Sequence, residues 1–171
     1  MLKSKNRIEL FEIIEKYQGI IHKVNSIYFK YKEDREDNFQ EVIYQLFKSF
    51  DSLRDRNKVT SWIYKVSINT AITALRKNNR ITIKPEFSDS DIKEVNENYP
   101  GEFIEKTSHL YTAINKLSEI EKAIILLYLD EKSYNEIGEI IGISKNNVGV
   151  KISRIKEKLK ITLKNRNYGQ G

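Results

Sequence analysis

Residues 133–159 read SYNEIGEIIGISKNNVGVKISRIKEKL, and their spacing predicts two helices joined by a tight turn. Ser133 stands three residues before Glu136. At that spacing the serine hydroxyl and the glutamate carboxylate each accept from the other residue's backbone N–H at a helix start. Ile137, Ile140 and Ile141 make one apolar face. Gly142 can take positive φ and so ends the helix at little steric cost. Ser144 is a candidate N-cap for the second helix, on which Val148, Ile152, Ile155 and Leu159 recur at helical spacing. Gly138 falls mid-helix, where glycine costs about 1 kcal/mol relative to alanine. A second helix crossing close by would call for a small residue there. This is the helix-turn-helix pattern, in which the second helix enters a major groove.

The outward face of that second helix supports DNA. From Lys145 to Arg166 there are eight basic residues and one acid, Glu157, a net of +7 against +6 for the whole chain. The first residues of such a helix face base edges, which makes Lys145, Asn146 and Asn147 the candidate base readers. Lys151, Arg154 and Lys156 are better placed for phosphates. A solvated amphipathic helix with a basic tail would carry the same charge. The agreement of caps, turn glycine and apolar spacing with that charge favours DNA.

The chain has 171 residues, 39% hydrophobic and 32% charged, with seven glycines and two prolines. Scarce breakers and long helical periodicities predict an all-α protein of one or two small domains. A pI of 9.3 suits nucleic acid. There is no cysteine, so neither a disulfide framework nor a thiolate metal site can form. The two histidines, His22 and His109, lie far apart and complete no ligand set. No glycine-rich phosphate loop and no nucleophile–base constellation can be assembled. The expectation is a protein that is not an enzyme and that takes no cofactor, metal or small-molecule substrate. MLKSKNRIEL at the start lacks an apolar signal core, and no run approaches the roughly 20 apolar residues of a membrane span, which predicts a cytoplasmic protein.

Upstream, Leu10, Ile14, Tyr17, Ile21, Val24 and Tyr28 step by threes and fours and predict a helix of about six turns. Lys30 to Asp34 reads as a loop with Asp34 as a cap candidate, and Glu36 to Leu53 as a second helix. One face of that helix holds Phe39, Val42, Ile43, Leu46, Phe47, Phe50 and Leu53. The other begins with Asp34, Glu36, Asp37, Gln40 and Glu41. That patch suits a partner with basic residues, and equally suits acids placed at a helix N-terminus by the macrodipole. Arg54 to Thr60 is a polar connector, and a third helix is predicted from Thr60 to Asn78. Lys65, Asn69, Thr73, Arg76 and Lys77 line one face of it, with Trp62 and Tyr64 near the start. Cationic and amide groups mixed with aromatics suit an unpaired strand, whose bases stack on rings while lysines track phosphates. Trp62 reads equally as core.

REDNFQEVIYQLFKSFDSL, then VTSWIYKVSINTAITALRK, then the helix-turn-helix together resemble an extracytoplasmic-function (ECF, group 4) sigma factor of bacterial RNA polymerase, from about residue 8 to 160. The resemblance implies two small helical domains, a sigma region 2-like bundle and a sigma region 4-like helix-turn-helix, joined by a flexible acidic linker. It implies that the acid patch of Asp34, Glu36, Asp37, Gln40 and Glu41 docks on the β′ coiled coil of core polymerase. It implies that the second block melts and reads the minus-ten element, with Asp55, Arg56, Asn57 and Lys58 holding a flipped base and Trp62, Tyr64, Lys65, Asn69 and Arg76 meeting the strand. Two departures stand out. Ile68 and Thr73 occupy positions where the family often has arginine and aspartate, and Asn147-Val148-Gly149-Val150 stands where Thr-Val-Lys-Ser is common. The minus-thirty-five preference therefore does not carry over.

The expected organisation is a region 2-like domain over 1–79, a linker over 80–104, a region 4-like domain over 105–165 and a tail over 166–171. The linker is acidic: from Glu86 to Glu105 seven acids face one base, and both prolines, Pro85 and Pro100, fall near or within it. In the family such linkers run through the polymerase cleft, so the implied partners are the β′ and β subunits, promoter DNA and an anti-sigma factor, often membrane-anchored. In the second domain Leu110, Ile114 and Leu117 share a face, and Ser118 to Glu121 repeats the capping-box spacing. Two other readings stay open on the residues alone. One is a conventional helix-turn-helix regulator that binds an operator duplex as a dimer. The other is a helical adaptor with no DNA role.

Overall fold

The computed structural model describes residues 4–79 and 109–167, which fall into two compact units dividing between residues 81 and 82. The expected linker, 80–104, lies outside the described residues. Every regular element among the described residues is helical.

In the first unit, helix α1 spans Ser4–Tyr28, α2 spans Lys32–Ser49 and α3 spans Val59–Asn79. Each pair of these helices is in contact. The apolar stripe of α1 is where the spacing put it: Leu10, Ile21, Val24 and Tyr28 are buried. Val42, Leu46, Phe50, Val59 and Ile63 close the core from α2, its C-terminal turn and α3. Ile68, one of the two departures on α3, is 2% exposed and belongs to this core.

Two boundaries differ from the sequence reading. Helix α2 starts at Lys32, so Asp34 is in its first turn and does not cap it; the N-cap is Tyr31, which makes no side-chain cap bond. A neighbour fixes that start: buried Asn25 on α1 donates Nδ2 to the carbonyl of Arg35 at 3.0 Å, and Asn38 on α2 donates to Asn25 Oδ1 at 2.7 Å. The helix also ends at Ser49, and Phe50–Ser52 tightens into a 3₁₀ turn. The connector then forms a second 3₁₀ turn, Arg56–Lys58, leading directly into α3.

In the second unit, helix α4 covers at least 109–115, α5 spans Glu119–Leu129, α6 spans Tyr134–Ile141 and α7 spans Lys145–Asn167. Both capping boxes form: Ser118 with Glu121 at the start of α5, and Ser133 with Glu136 at the start of α6. Gly142 takes φ 84°, and the Ser144 hydroxyl accepts from the Asn147 N–H at 3.2 Å. Helix α7 runs to Asn167, past the expected boundary at 165; residues 168–171 lie outside the described residues.

Gly138 is needed for a reason other than the crossing helix that its position suggests. A Cβ there would lie 2.6 Å from the carbonyl oxygen of Ile143, in the turn that follows the same helix. The backbone folds back so closely that the Gly142 and Ile143 N–H groups both bond the Gly138 carbonyl, at 2.8 and 3.0 Å. The turn before α6 uses no glycine. Glu131 takes φ 58° there, while the N–H groups of Glu131 and Lys132 bond the carbonyls of Tyr128 and Leu127, the reciprocal pattern that closes a helix C-terminus.

Candidate nucleic-acid and polymerase interfaces

The first unit carries two polar faces on different helices. On α2, Asp34, Glu36, Asp37, Gln40 and Glu41 are all exposed. Tyr44, one turn beyond Gln40 and Glu41, is 59% exposed and extends that face with an aromatic ring. The sequence pattern did not single it out, because Tyr44 falls outside both the apolar face of α2 and its run of acids.

On α3, Lys65, Asn69 and Arg76 are exposed and fall along one side of the helix, with half-buried Trp62 at its N-terminal end. Trp62 packs against the core, its ring 6.0 Å from that of Phe50, and keeps part of its surface open. The core reading of this residue therefore holds, and part of its ring surface is still open to solvent. Tyr64 does not join the face: it is 3% exposed and sits in the core, on the side of the helix away from Lys65. The Thr73 hydroxyl donates to the Asn69 carbonyl at 2.7 Å and so serves its own helix.

The connector is internally braced. Asp55 caps its 3₁₀ turn by accepting from the Asn57 N–H at 2.9 Å. Arg56 turns back on its own unit, donating to both carboxylate oxygens of Glu9 on α1 and to the Leu53 carbonyl. Its guanidinium also lies 4.7 Å from the centre of the Phe50 ring. Arg56 is thus placed to hold the connector's shape, while Asn57 and Lys58 are exposed beside it. Sequence reasoning could not find the Arg56–Glu9 pair, whose members stand 47 residues apart.

In the second unit, α7 packs on α5 and α6 through buried Val148, Ile152, Ile155 and Leu159. Lys145, Asn146, Asn147, Arg154 and Lys156 are exposed, and Lys151 is half-buried. Asn146, Asn147, Val150 and Arg154 lie opposite the buried row. Two of the lysines have partners inside the unit. Lys158 binds the Glu121 carboxylate, and Lys156 donates to the Tyr128 hydroxyl at 2.7 Å with its ammonium 4.3 Å from the ring centre. The tyrosine hydrogen bond raises the Lys156 pKa, so this cation keeps its charge. Partial burial pushes the Glu121 carboxyl up, but hydrogen bonds from Lys158 and the Ser118 N–H outweigh it and the net direction is down.

These observations define a class: a two-unit helical DNA-binding protein whose second unit is a helix-turn-helix. Residues 13–81 match the family described as Sigma-70 region 2, and residues 109–159 match Sigma-70, region 4. RNA polymerase sigma factor SigV of Bacillus subtilis is 26% identical over 162 residues, spanning 94% of this chain and 95% of its own. The ECF RNA polymerase sigma-E factor of Escherichia coli is 28% identical over 161 residues, spanning 85% and 81%. The solved sigma factor RpoE of Bartonella quintana, in complex with the anti-sigma factor NepR, shares the fold with a TM-score of 0.67 at 16% identity, over 95% of this chain and 98% of that one. The chain belongs to the sigma-70 family and, within it, to the ECF group of RNA polymerase sigma factors. The separate operator-binding regulator that a lone helix-turn-helix leaves open is not favoured, because such a protein has no use for region 2.

Proposed function

We propose that this chain carries bacterial core polymerase to its promoters with three surfaces divided between its two units. The exposed acid face of α2, set apart from the polar and aromatic face of α3 in the same small bundle, is the observation that carries this reading. Asp34, Glu36, Asp37, Gln40 and Glu41 dock on basic residues of the polymerase β′ subunit. Asn57, Lys58, Trp62, Lys65, Asn69 and Arg76 meet the unpaired minus-ten strand, with Asp55 and Arg56 shaping the connector that holds a flipped base. In the other unit, Lys145, Asn146 and Asn147 approach base edges of the minus-thirty-five duplex, and Lys151, Arg154 and Lys156 approach phosphates.

The mechanism is binding without bond-making. Contacts to polymerase and to the DNA backbone offset the cost of opening the duplex, and capture of an extruded base makes opening selective. The domain division that goes with this reading is 1–79 and 105–165 around an acidic linker. No helix among the described residues is long and apolar enough to cross a membrane, in keeping with work in the cytoplasm on the polymerase. An anti-sigma factor that covers these surfaces, as one accompanies the Bartonella RpoE, is the proposed control.

The test is run-off transcription with purified core polymerase on a library of candidate promoters, with permanganate probing of unpaired thymines. Promoter-dependent transcripts and an open bubble only when chain and core are both present are the expected result. A chain that ignores core polymerase and shifts duplex DNA alone as a dimer would overturn the reading.

A further inference from the structure

Val150 is an apolar side chain in a polar place. It is 48% exposed at the second turn of α7, on the side opposite Val148, Ile152 and Ile155. Asn146 lies one turn before it, Asn147 three residues before and Arg154 one turn after, all exposed. The preceding position, Gly149, carries no side chain, and the Tyr134 ring lies against it, 3.5 Å from where a Cβ would stand, so the exposed side of this turn is left to Val150. The unit's own core does not account for this valine.

The duplex does. We infer that Val150 reads the methyl group of a thymine in the promoter element contacted by α7, an inference that rests on the proposed function of that helix. The occupant of this face is set by charge, since α7 carries a net +7 between Lys145 and Arg166, which stays strongly positive after the Lys158–Glu121 pair is counted, and a duplex presents phosphates on both sides of the groove. Within the major groove the thymine C5 methyl is the one apolar group, and every other base edge shows donors or acceptors. A valine facing those polar edges would strip water from them and return no hydrogen bond. Its β-branch also holds it in essentially one rotamer on a helix, so the isopropyl group is fixed in place before DNA arrives. Val150 thus favours thymine by contact and disfavours the other bases by desolvation, while Asn146 and Asn147 supply directional hydrogen bonds beside it.

The experiment uses the full chain assembled with core polymerase on a promoter recovered by the run-off selection. Each thymine of the upstream element is replaced singly by deoxyuridine, which removes the methyl and keeps every hydrogen-bonding group. The wild-type holoenzyme should lose about 3- to 5-fold in competitive promoter binding at one thymine, the scale of one methyl taken out of contact. Val150→Ala should lose a similar factor on the thymine promoter and then be indifferent to deoxyuridine at that position alone. Val150→Thr, nearly the same shape with a hydroxyl in place of one methyl, should lose part of the discrimination and keep the part its remaining methyl supplies; it guards against a folding defect in the alanine variant. If Val150→Ala weakens the thymine and deoxyuridine promoters equally at every position, or not at all, Val150 is a stray surface valine and the inference is wrong. Absence of any promoter-dependent transcription by wild type would instead overturn the sigma reading, and this inference with it.

Discussion

Glu131 and Gly138 invert the usual preferences of a helix. Alanine is about 1 kcal/mol better than glycine inside a helix, yet Gly138→Ala would push a methyl to within 2.6 Å of the Ile143 carbonyl oxygen. That oxygen belongs to backbone held in a tight turn and cannot rotate away as a side chain would. The expected outcome is a net loss of about 1–3 kcal/mol, read as a lower urea midpoint at unchanged slope. A higher midpoint would mean that the turn yields. At Glu131 the opposite change should help: a left-handed residue with a Cβ is strained there, and Glu131→Gly should stabilise by about 0.5–1 kcal/mol in the same titration. Asn146→Ala tests recognition in place of stability. On the preferred promoter it should cost about 1–3 kcal/mol and on other sequences less. Equal loss on all DNA would remove Asn146 from the base readers.

At the scale of elements, the starts of α5 and α6 depend on ionised carboxylates. At the α6 box the Ser133 backbone N–H, then its hydroxyl, hold the Glu136 carboxyl below its ordinary value of 4.5. Glu121 is lowered as well, by Lys158 and Ser118 against the pull of burial. A carboxyl with a depressed folded pKa contributes stability above its unfolded value, and that contribution is lost as pH falls through the folded value. The second unit should therefore melt earlier once pH drops below about 4.5. Glu136→Gln keeps a capping box, since glutamine also accepts from the N-cap N–H, but removes one titrating group. Its melting temperature should fall less than that of wild type between about pH 6 and pH 4; equal falls would assign the acid sensitivity elsewhere.

These elements also mark how far a sequence can be read. Capping boxes, the Gly142 turn and the Val148–Leu159 stripe were legible because each is written within one or two helical turns. The start of α2 was not, because Tyr31 caps nothing and the determining bond comes from Asn25 on another helix. The candidate surfaces follow the same division. The exposure of the α2 acids and of the α3 face agrees with their spacing. The burial of Tyr64, the Arg56–Glu9 brace and the Lys156–Tyr128 and Lys158–Glu121 pairs depend on which helices meet. A charge count along α7 therefore overstates the cations left for DNA.

On the scale of the whole molecule, the acid face of α2 and the basic face of α7 belong to different units, and the independence of their proposed contacts is testable. Acids on α2 suit a basic protein surface, whereas the cations of α7 suit phosphates; the two contacts should fail independently. Asp37→Lys with Glu41→Lys reverses two exposed charges on a face that carries no core residue, so the first unit should stay folded. The variant should lose core-polymerase binding, and run-off transcription with it, while the chain's own binding to promoter duplex is unchanged. Lys151→Ala should do the reverse. Duplex affinity should fall by a similar factor on every sequence, core binding should hold, and the slope of log affinity against log salt should flatten by about one unit, as expected when one phosphate contact and its released counterion are removed. An unchanged slope would take Lys151 off the phosphate backbone. Loss of core binding in Lys151→Ala, or of duplex binding in the α2 variant, would mean that each surface serves both partners, and a model with one task per face could not stand.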